Sequence, residues 1–129
     1  MDTKLFLAIS AVIALLYGIA FILIPNVLLS AYGVQSNPSA VLGFRYFGVT
    51  LLGLGLITWL VRESRDWTAL RGVLIGLAVG DAVGTVLSIW ATLAGLMNGM
   101  GWSAVLIYLI LLVGCVYCLS VGGSKVAAS

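Results

Sequence analysis

Two charged side chains lie inside the long apolar runs of this sequence, Arg45 and Asp81. An ionisable residue at the centre of a membrane helix costs roughly 2.5–3.5 kcal/mol on insertion scales, so each is expected to have a structural or chemical role. For Asp81 two roles are open: contact with a ligand, or a neutral, hydrogen-bonded acid locked into helix packing. For Arg45 they are a polar contact near Asp81 and a side chain that extends to the nearby membrane surface.

Hydroxyl side chains follow Asp81 along one face of its helix. At about 100° per residue they fall within about 40° of the Asp81 direction, whereas this face is aliphatic towards the other end. The pattern predicts a polar pocket that opens only to the outer half of the membrane, where Arg45 and Thr50 could also line it. Such hydroxyls also bond to the backbone of their own helix, so an interpretation without a pocket stays open. The hydroxyl residues of this polar stripe are Thr85, Ser88 and Thr92.

The separation of the two charges depends on how their helices pack. If the second and third spans form a hairpin about the loop 62–71, Asp81 lies level with Leu52 and about 10 Å from Arg45 along the axis. A direct salt bridge then requires a stretched arginine or a shifted register. The sequence leaves open whether the two charges pair.

The second candidate for chemistry is the CxxC pair Cys115 and Cys118. Reactive cysteines of this pattern are activated at helix N-termini or beside cations. This pair lies near the C-terminal end of the last apolar run, where the helix dipole disfavours a thiolate. We therefore expect small apolar core residues, with a membrane redox helper as the less favoured alternative. The sequence has no histidine, and we expect no metal site and no cofactor.

The third apolar run carries a glycine ridge, four glycines at four-residue spacing: Gly72, Gly76, Gly80 and Gly84. In a helix they form one slowly drifting stripe along which another helix backbone can approach closely. The partner is either a second copy or the same chain, which is slightly favoured because the second run has glycines of its own. Those glycines are Gly43, Gly48, Gly53 and Gly55.

All these residues lie in a very apolar chain. Of its 129 residues 63% are hydrophobic and 8% charged, and the mean hydropathy is +1.24, outside the range of soluble globular domains. A helix needs about 20 apolar residues to cross a hydrocarbon core of about 30 Å. The sequence therefore predicts an all-α membrane protein, a single transmembrane domain over 1–129 folded as a four-helix bundle. The spans are predicted at about 5–24, 40–61, 72–96 and 102–121.

The positive charges predict the orientation of the spans. Lys4, Lys125 and the arginines of the loop 62–71 all fall on one side, which the positive-inside rule makes cytoplasmic. Both termini are therefore predicted inside, and the segments 25–39 and 97–101 outside. The composition of 25–39 favours a short helix in the outer interface, which is either a simple connector or a lid or partner surface.

Several function classes are not expected. The net charge of +2 comes from a few scattered residues, which is not typical of nucleic-acid binding. No nucleotide loop, nucleophile elbow or pair of catalytic carboxylates can be assembled, and little of the chain lies outside the spans. An enzyme is therefore not expected.

Glycine and aliphatic patterns along nearly the whole chain resemble those of a known family. They are Pro25 with the YGV of 32–34, Arg45 with the FG of 47–48, the LGLGL of 52–56, the WLVR of 59–62, and the RGVL of 71–74 leading into Gly80. They resemble a widespread family of small uncharacterised bacterial four-helix membrane proteins. The layout is also similar to DoxX-type proteins and to the scaffold protein of ergosterol biosynthesis. The resemblance implies a four-helix bundle in the bacterial cytoplasmic membrane, with an accessory or scaffolding role.

Two functions are consistent with these patterns. Abundant packing signals and little chemistry favour an accessory or structural membrane subunit, which packs onto itself or a larger membrane complex through the glycine ridge. The alternative is a small membrane binding protein or transporter for a lipid, a quinone or a small solute. In that case Asp81 and Arg45 are the polar contacts.

Overall fold

The computed structural model describes the backbone of residues 2–128 and the side chains of residues 2–122. Within these residues all regular structure is α-helical, as the sequence predicts. The short helix α2 directly follows the first span, where a short helix was expected. The helices in chain order are α1 Thr3–Leu23, α2 Pro25–Ala31, α3 Pro38–Val61, α4 Trp67–Leu93 and α5 Gly101–Ala128.

Four of these helices, α1, α3, α4 and α5, are long and apolar enough to cross a membrane. Each coincides with one of the four predicted spans, and the candidate spans are 21 to 27 residues long. A helix of 20 residues is about 30 Å long, which matches the hydrocarbon core of a bilayer. The chain is an integral membrane protein with an all-α, four-helix architecture.

The boundaries of the third span differ from the prediction. α4 begins at Trp67 rather than about 72, because the Asp66 side chain caps the helix by accepting a hydrogen bond from the Thr68 amide at 3.0 Å. α4 ends at Leu93 rather than about 96. Gly95 follows with a φ of +79°, a conformation that favours glycine and ends helices. α5 continues beyond the predicted end at 121, to Ala128.

The first helix pair is formed by α1 and α3, which touch backbone to backbone. A Cβ atom added at Gly48 would lie 2.7 Å from the carbonyl oxygen of Gly18, and one added at Gly18 would lie 2.9 Å from the carbonyl oxygen of Gly48. The close contact between α1 and α3 continues at Gly55, where an added Cβ would lie 2.9 Å from Cγ of Leu15. Only glycine fits at such separations, so these residues fix how the two helices approach.

The second helix pair is formed by α4 and α5. Gly84 makes room for the aromatic ring of Tyr108, because a Cβ there would lie 2.6 Å from the ring atom Cε1. Contacts between α3 and α4 are few, although these helices are consecutive spans. The assumption that they pack against each other as a hairpin therefore does not hold. The close contacts that glycines permit pair α3 with α1 and α4 with α5 instead.

A compact core joins the two pairs at the end of the bundle that holds the N-terminus, here called the N-terminal end. It brings together α1, α4 and α5, and the ring of Phe6 fills the space left by the missing side chain of Gly114. The two cysteines belong to this core, as expected for small apolar residues. Its buried members are Phe6, Leu7, Leu70, Leu74, Cys115 and Cys118.

A polar joint connects the two pairs at the opposite end, here called the α2 end. Asn98, in the loop between α4 and α5, donates its backbone amide to the carbonyl of Tyr32 at 2.8 Å and its side-chain amide to the carbonyl of Ala31 at 3.1 Å. Gly33 adopts a φ of +69° and lies against the Asn98 side chain. The loop after α4 thus caps the C-terminus of α2.

Charged side chains gather at the N-terminal end of the bundle. Glu63 Oε1 lies 3.5 Å from Lys4 Nζ and 3.6 Å from Arg62 Nη2. The start of α1 therefore lies beside the α3–α4 loop, which places these basic residues at one end of the bundle. That this end is cytoplasmic stays a prediction. The side chain of Lys125 lies outside the described residues.

The glycine contact between α1 and α3 predicts the effect of a larger side chain. Gly48→Leu forces the two backbones apart, and we expect a loss of unfolding free energy of about 1–3 kcal/mol, typical of overpacking. Gly53→Leu is the matched control on the same helix, because nothing lies within 4 Å of a Cβ at Gly53. Far-UV circular dichroism during unfolding in mixed detergent micelles measures the unfolding free energy of both variants. Equal stability of the two variants would contradict the pairing.

Candidate functional site

Asp81 lies in the interior of the bundle, on the buried stripe of α4. Its exposed fraction is 9%, and the stripe continues along one face of the helix through Leu74 and Ser88. This face is turned towards α5, because Gly84, one turn further on, receives the Tyr108 ring. The sequence predicted a neighbour on α3, whereas the structure places α5 there.

The closest polar partner of the carboxylate is a thiol. Cys115 Sγ lies 3.8 Å from Asp81 Oδ2, with the thiol as donor. A thiol is a weak hydrogen-bond donor, so this contact compensates little of the cost of burying a carboxylate. The two ion pairs found among residues 2–122 both involve Glu63, at the N-terminal end. No basic side chain in that range pairs with Asp81.

Tyr108 of α5 approaches Asp81, and two further tyrosines lie near Tyr108. Tyr108 of α5 is close enough to interact electrostatically with Asp81, Tyr17 and Tyr32. Tyr17 of α1 in turn hydrogen-bonds the side chain of Tyr32, which follows α2. The hydroxyl groups therefore extend from Asp81 towards the α2 end of the bundle.

Among the side chains of residues 2–122, one buried hydroxyl has no hydrogen-bond partner. The Oγ atom of Ser10 is fully buried and makes no hydrogen bond to the described residues, and the residue is 7% exposed. Ser10 lies one turn after Phe6 and two turns before Tyr17, so the three share a face of α1. Since Phe6 covers Gly114 of α5 and Tyr17 interacts with Tyr108, this face is turned towards the interior.

Sequence reasoning missed Ser10, Tyr17 and Tyr108. It considered ionisable residues, the helix of Asp81 itself and Thr50 on the second span. The available signal was the presence of polar side chains inside the apolar runs of α1 and α5, where a polar group in hydrocarbon needs a partner. The position of Tyr108 near Asp81 depends on the helix pairing, which periodicity within one helix does not contain.

The hydroxyls of the polar stripe bond to their own helix. Thr85 Oγ1 donates to the carbonyl oxygen of Asp81 at 2.7 Å, and Thr92 Oγ1 donates to that of Ser88 at 2.8 Å. This is the backbone-bonding alternative that the sequence left open. Ser88 is buried with 7% exposure on the same face as Asp81.

The structure does not bring Arg45 and Thr50 to Asp81. Both are exposed on α3, which packs against α1 and not α4. Thr50 Oγ1 donates to the carbonyl of Tyr46 at 3.1 Å, again within its own helix. The two side chains that interact with Asp81, those of Cys115 and Tyr108, both lie on α5.

The glycine ridge divides into two parts. Nothing lies within 4 Å of a Cβ built at Gly72, Gly76 or Gly80, whereas Gly84 contacts Tyr108. Residues four apart differ by about 40° in direction on a helix, so the ridge turns from the outside of the bundle at Gly72 to the interior at Gly84. The glycines of α3 do not cover it, contrary to the slightly favoured expectation.

The other possible sites in the described residues offer few reactive or metal-binding side chains. An open groove of about 470 Å³ lies along α2 and is lined by Asn26, Val27, Ser30 and Ala31. In residues 2–122, no three or more histidine, cysteine, aspartate or glutamate side chains are grouped so that they could hold a metal ion. The interior around Asp81 is therefore the strongest candidate site.

Comparisons with known proteins assign neither a family nor a function to the chain. No protein-family model, no curated protein and no solved structure matches the chain. The resemblance to small bacterial four-helix membrane proteins stays a prediction, and function has to be argued from the geometry.

The position of the cysteines predicts their reactivity. Cys115 and Cys118 are 0% and 1% exposed, so N-ethylmaleimide should modify neither in the folded protein in mild detergent. After denaturation in hot dodecyl sulfate, mass spectrometry should find two adducts. Gly99→Cys, in the exposed α4–α5 loop, is the positive control and should react without denaturation. Rapid alkylation of Cys115 in the folded protein would place it outside the core.

Proposed function

We propose that the protein is an accessory or structural membrane subunit that associates through the open part of the glycine ridge on α4. The observation that carries the proposal is the open space beside Gly72, Gly76 and Gly80. Together they form a continuous groove about 12 Å long, at 1.5 Å per residue. A side chain of another helix, or its backbone, can enter this groove.

The physics of helix association in lipid supports this role. Lipid tails are as apolar as leucine, so membrane helices associate through close van der Waals packing and backbone contacts that small residues permit. The chain already uses this mode internally, where Gly18 and Gly48 bring α1 and α3 together. Glycine also lowers helix stability by about 1 kcal/mol relative to alanine, and no contact within the described chain accounts for three glycines on one open face.

The expected partner is a second copy or a larger complex of the same membrane. An accessory role also agrees with the family that the sequence resembles. Bacterial origin and the cytoplasmic membrane as the location are part of the same proposal.

The glycine ridge provides the test. Gly76→Leu and Gly80→Leu fill the groove without touching the folded chain, so we expect association to weaken about tenfold, equivalent to about 1.4 kcal/mol. Gly53→Leu is the matched control, because Gly53 is equally open but lies on α3. Native electrophoresis and mass spectrometry after extraction from the producing membrane in mild detergent measure the assembled fraction and its partner. A lone monomer for the natural sequence, or equal assembly of all variants, would contradict the proposal.

A second candidate function is binding or transport of a ligand inside the bundle. The specific observation in its favour is the buried carboxylate of Asp81 without a basic partner in residues 2–122. Ionisable residues within membrane spans commonly mark pathways for ions or substrates. A lipid or quinone headgroup, a small solute or an ion are the ligand classes that such a site accepts.

A further inference from the structure

Arg45 is a charged side chain that the two candidate functions leave unexplained. It is exposed on α3, and no side chain among residues 2–122 forms an ion pair with it. A buried acid can be neutralised by gaining a proton, whereas a guanidinium group keeps its charge. Within a membrane span such a group needs an anion or water within its reach.

The α2 half of the bundle supplies no charge that balances Arg45. Among the side chains of residues 2–122, Asp81 is buried on the face of α4 that is turned towards α5. A second copy of this part of the chain, oriented alike in the membrane, therefore offers Arg45 no exposed carboxylate. The anion that Arg45 requires comes from another molecule. The other charged side chains of this range all lie towards the N-terminal end, and they are Asp2, Lys4, Arg62, Glu63, Arg65, Asp66 and Arg71.

The position of Arg45 along α3 brings its guanidinium group to the membrane surface. α3 begins with Pro38 at the α2 end and has 24 residues, so it is about 36 Å long at 1.5 Å per residue. If the helix is centred on a hydrocarbon core of about 30 Å, the Cα atom of Arg45 lies about 7 Å below the boundary at the α2 end. Helical side chains lean towards the N-terminus of their helix, which for α3 is this boundary. Arginine spans such a depth with its charged group among the lipid headgroups.

The surface around Arg45 is suited to a lipid molecule. Leu42 and Val49 lie on the same face of α3, and their side chains are 54% and 57% exposed. The neighbouring Tyr46 is 66% exposed, and tyrosine rings prefer the level where hydrocarbon meets headgroups. α3 packs mainly against α1 through its glycines, so this face points away from the bundle. We call these four residues the Arg45 face.

We propose that the Arg45 face binds one anionic phospholipid from the leaflet at the α2 end. The guanidinium group donates hydrogen bonds to the lipid phosphate, whose oxygens match its parallel N–H groups, and an acyl chain lies along Val49. A lipid with a net negative charge is favoured over a zwitterionic one, because its headgroup has no cation that offsets the phosphate. This site depends neither on the glycine ridge nor on Asp81.

A fluorescent reporter beside Arg45 measures which lipid occupies this face. Leu42→Cys is labelled with bimane, and the buried native cysteines do not compete for the label. The full chain is placed in nanodiscs of phosphatidylcholine with a minor fraction of phosphatidylglycerol. One of the two lipids carries bromine on its acyl chains, which quenches the label at close range. Leu87→Cys, exposed on α4 near the same end of the bundle, is the matched control position.

The reporter should detect a preference for the anionic lipid. At the Leu42→Cys label, phosphatidylglycerol should associate about fivefold more strongly than phosphatidylcholine, the factor that one arginine near an anionic surface contributes. At the Leu87→Cys label the two lipids should associate equally. Arg45→Gln should abolish the preference. Arg65→Gln, which removes an exposed arginine at the opposite end, should leave it unchanged.

Three results would overturn the site. One is equal association of the two lipids at the Leu42→Cys label, which is the result expected if Arg45 instead pairs with a carboxylate of another protein. Another is a preference that survives Arg45→Gln. The third is a preference that inorganic phosphate removes and sodium chloride of equal ionic strength does not, because the site would then hold a free anion. All the side chains changed are exposed, so the variants keep the core of the bundle.

Discussion

The close approach of helix backbones at glycine is the constraint on which the structure depends. In hydrocarbon, apolar side chains gain little by leaving lipid for another helix, so the pairing of spans depends on how tightly they fit. Gly18 and Gly48 bring α1 against α3, and Gly84 seats the Tyr108 ring and so brings α4 against α5. Gly114 receives Phe6 and joins the two pairs. Each fit is specific, because an added Cβ would collide with the neighbour.

The orientation of Asp81 follows from this packing. With Gly84 facing Tyr108, the preceding turn of α4 points the carboxylate at α5, next to Cys115 and inside the bundle. The same rotation turns the rest of the glycine ridge outward. One helix thus presents a buried acid on one face and an open groove on another, and these two faces support the two proposed functions.

Sequence reasoning predicted the spans, the short helix after α1 and the burial of the cysteines, because length and hydropathy report them directly. It did not predict the pairing of helices. Core and lipid are equally apolar, and only 11% of the residues are buried in the 18-residue apolar windows of α3 and α5. Hydropathy therefore does not reveal which helix packs against which. The early start of α4 was missed because Arg71 interrupts the apolar run, whereas the cap at Asp66 sets the helix start.

Oxidative cross-linking at position 81 tests the central claim most directly, namely that the fourth helix turns Asp81 towards α5. In an Asp81→Cys, Cys118→Ala variant, the new thiol should form a disulfide with the native Cys115, which holds the two fragments together after cyanogen bromide cleavage at Met97 and Met100. In an Asp81→Cys, Leu52→Cys variant with both native cysteines replaced by alanine, no intramolecular disulfide should form. A disulfide between positions 52 and 81, with none to Cys115, would contradict the account.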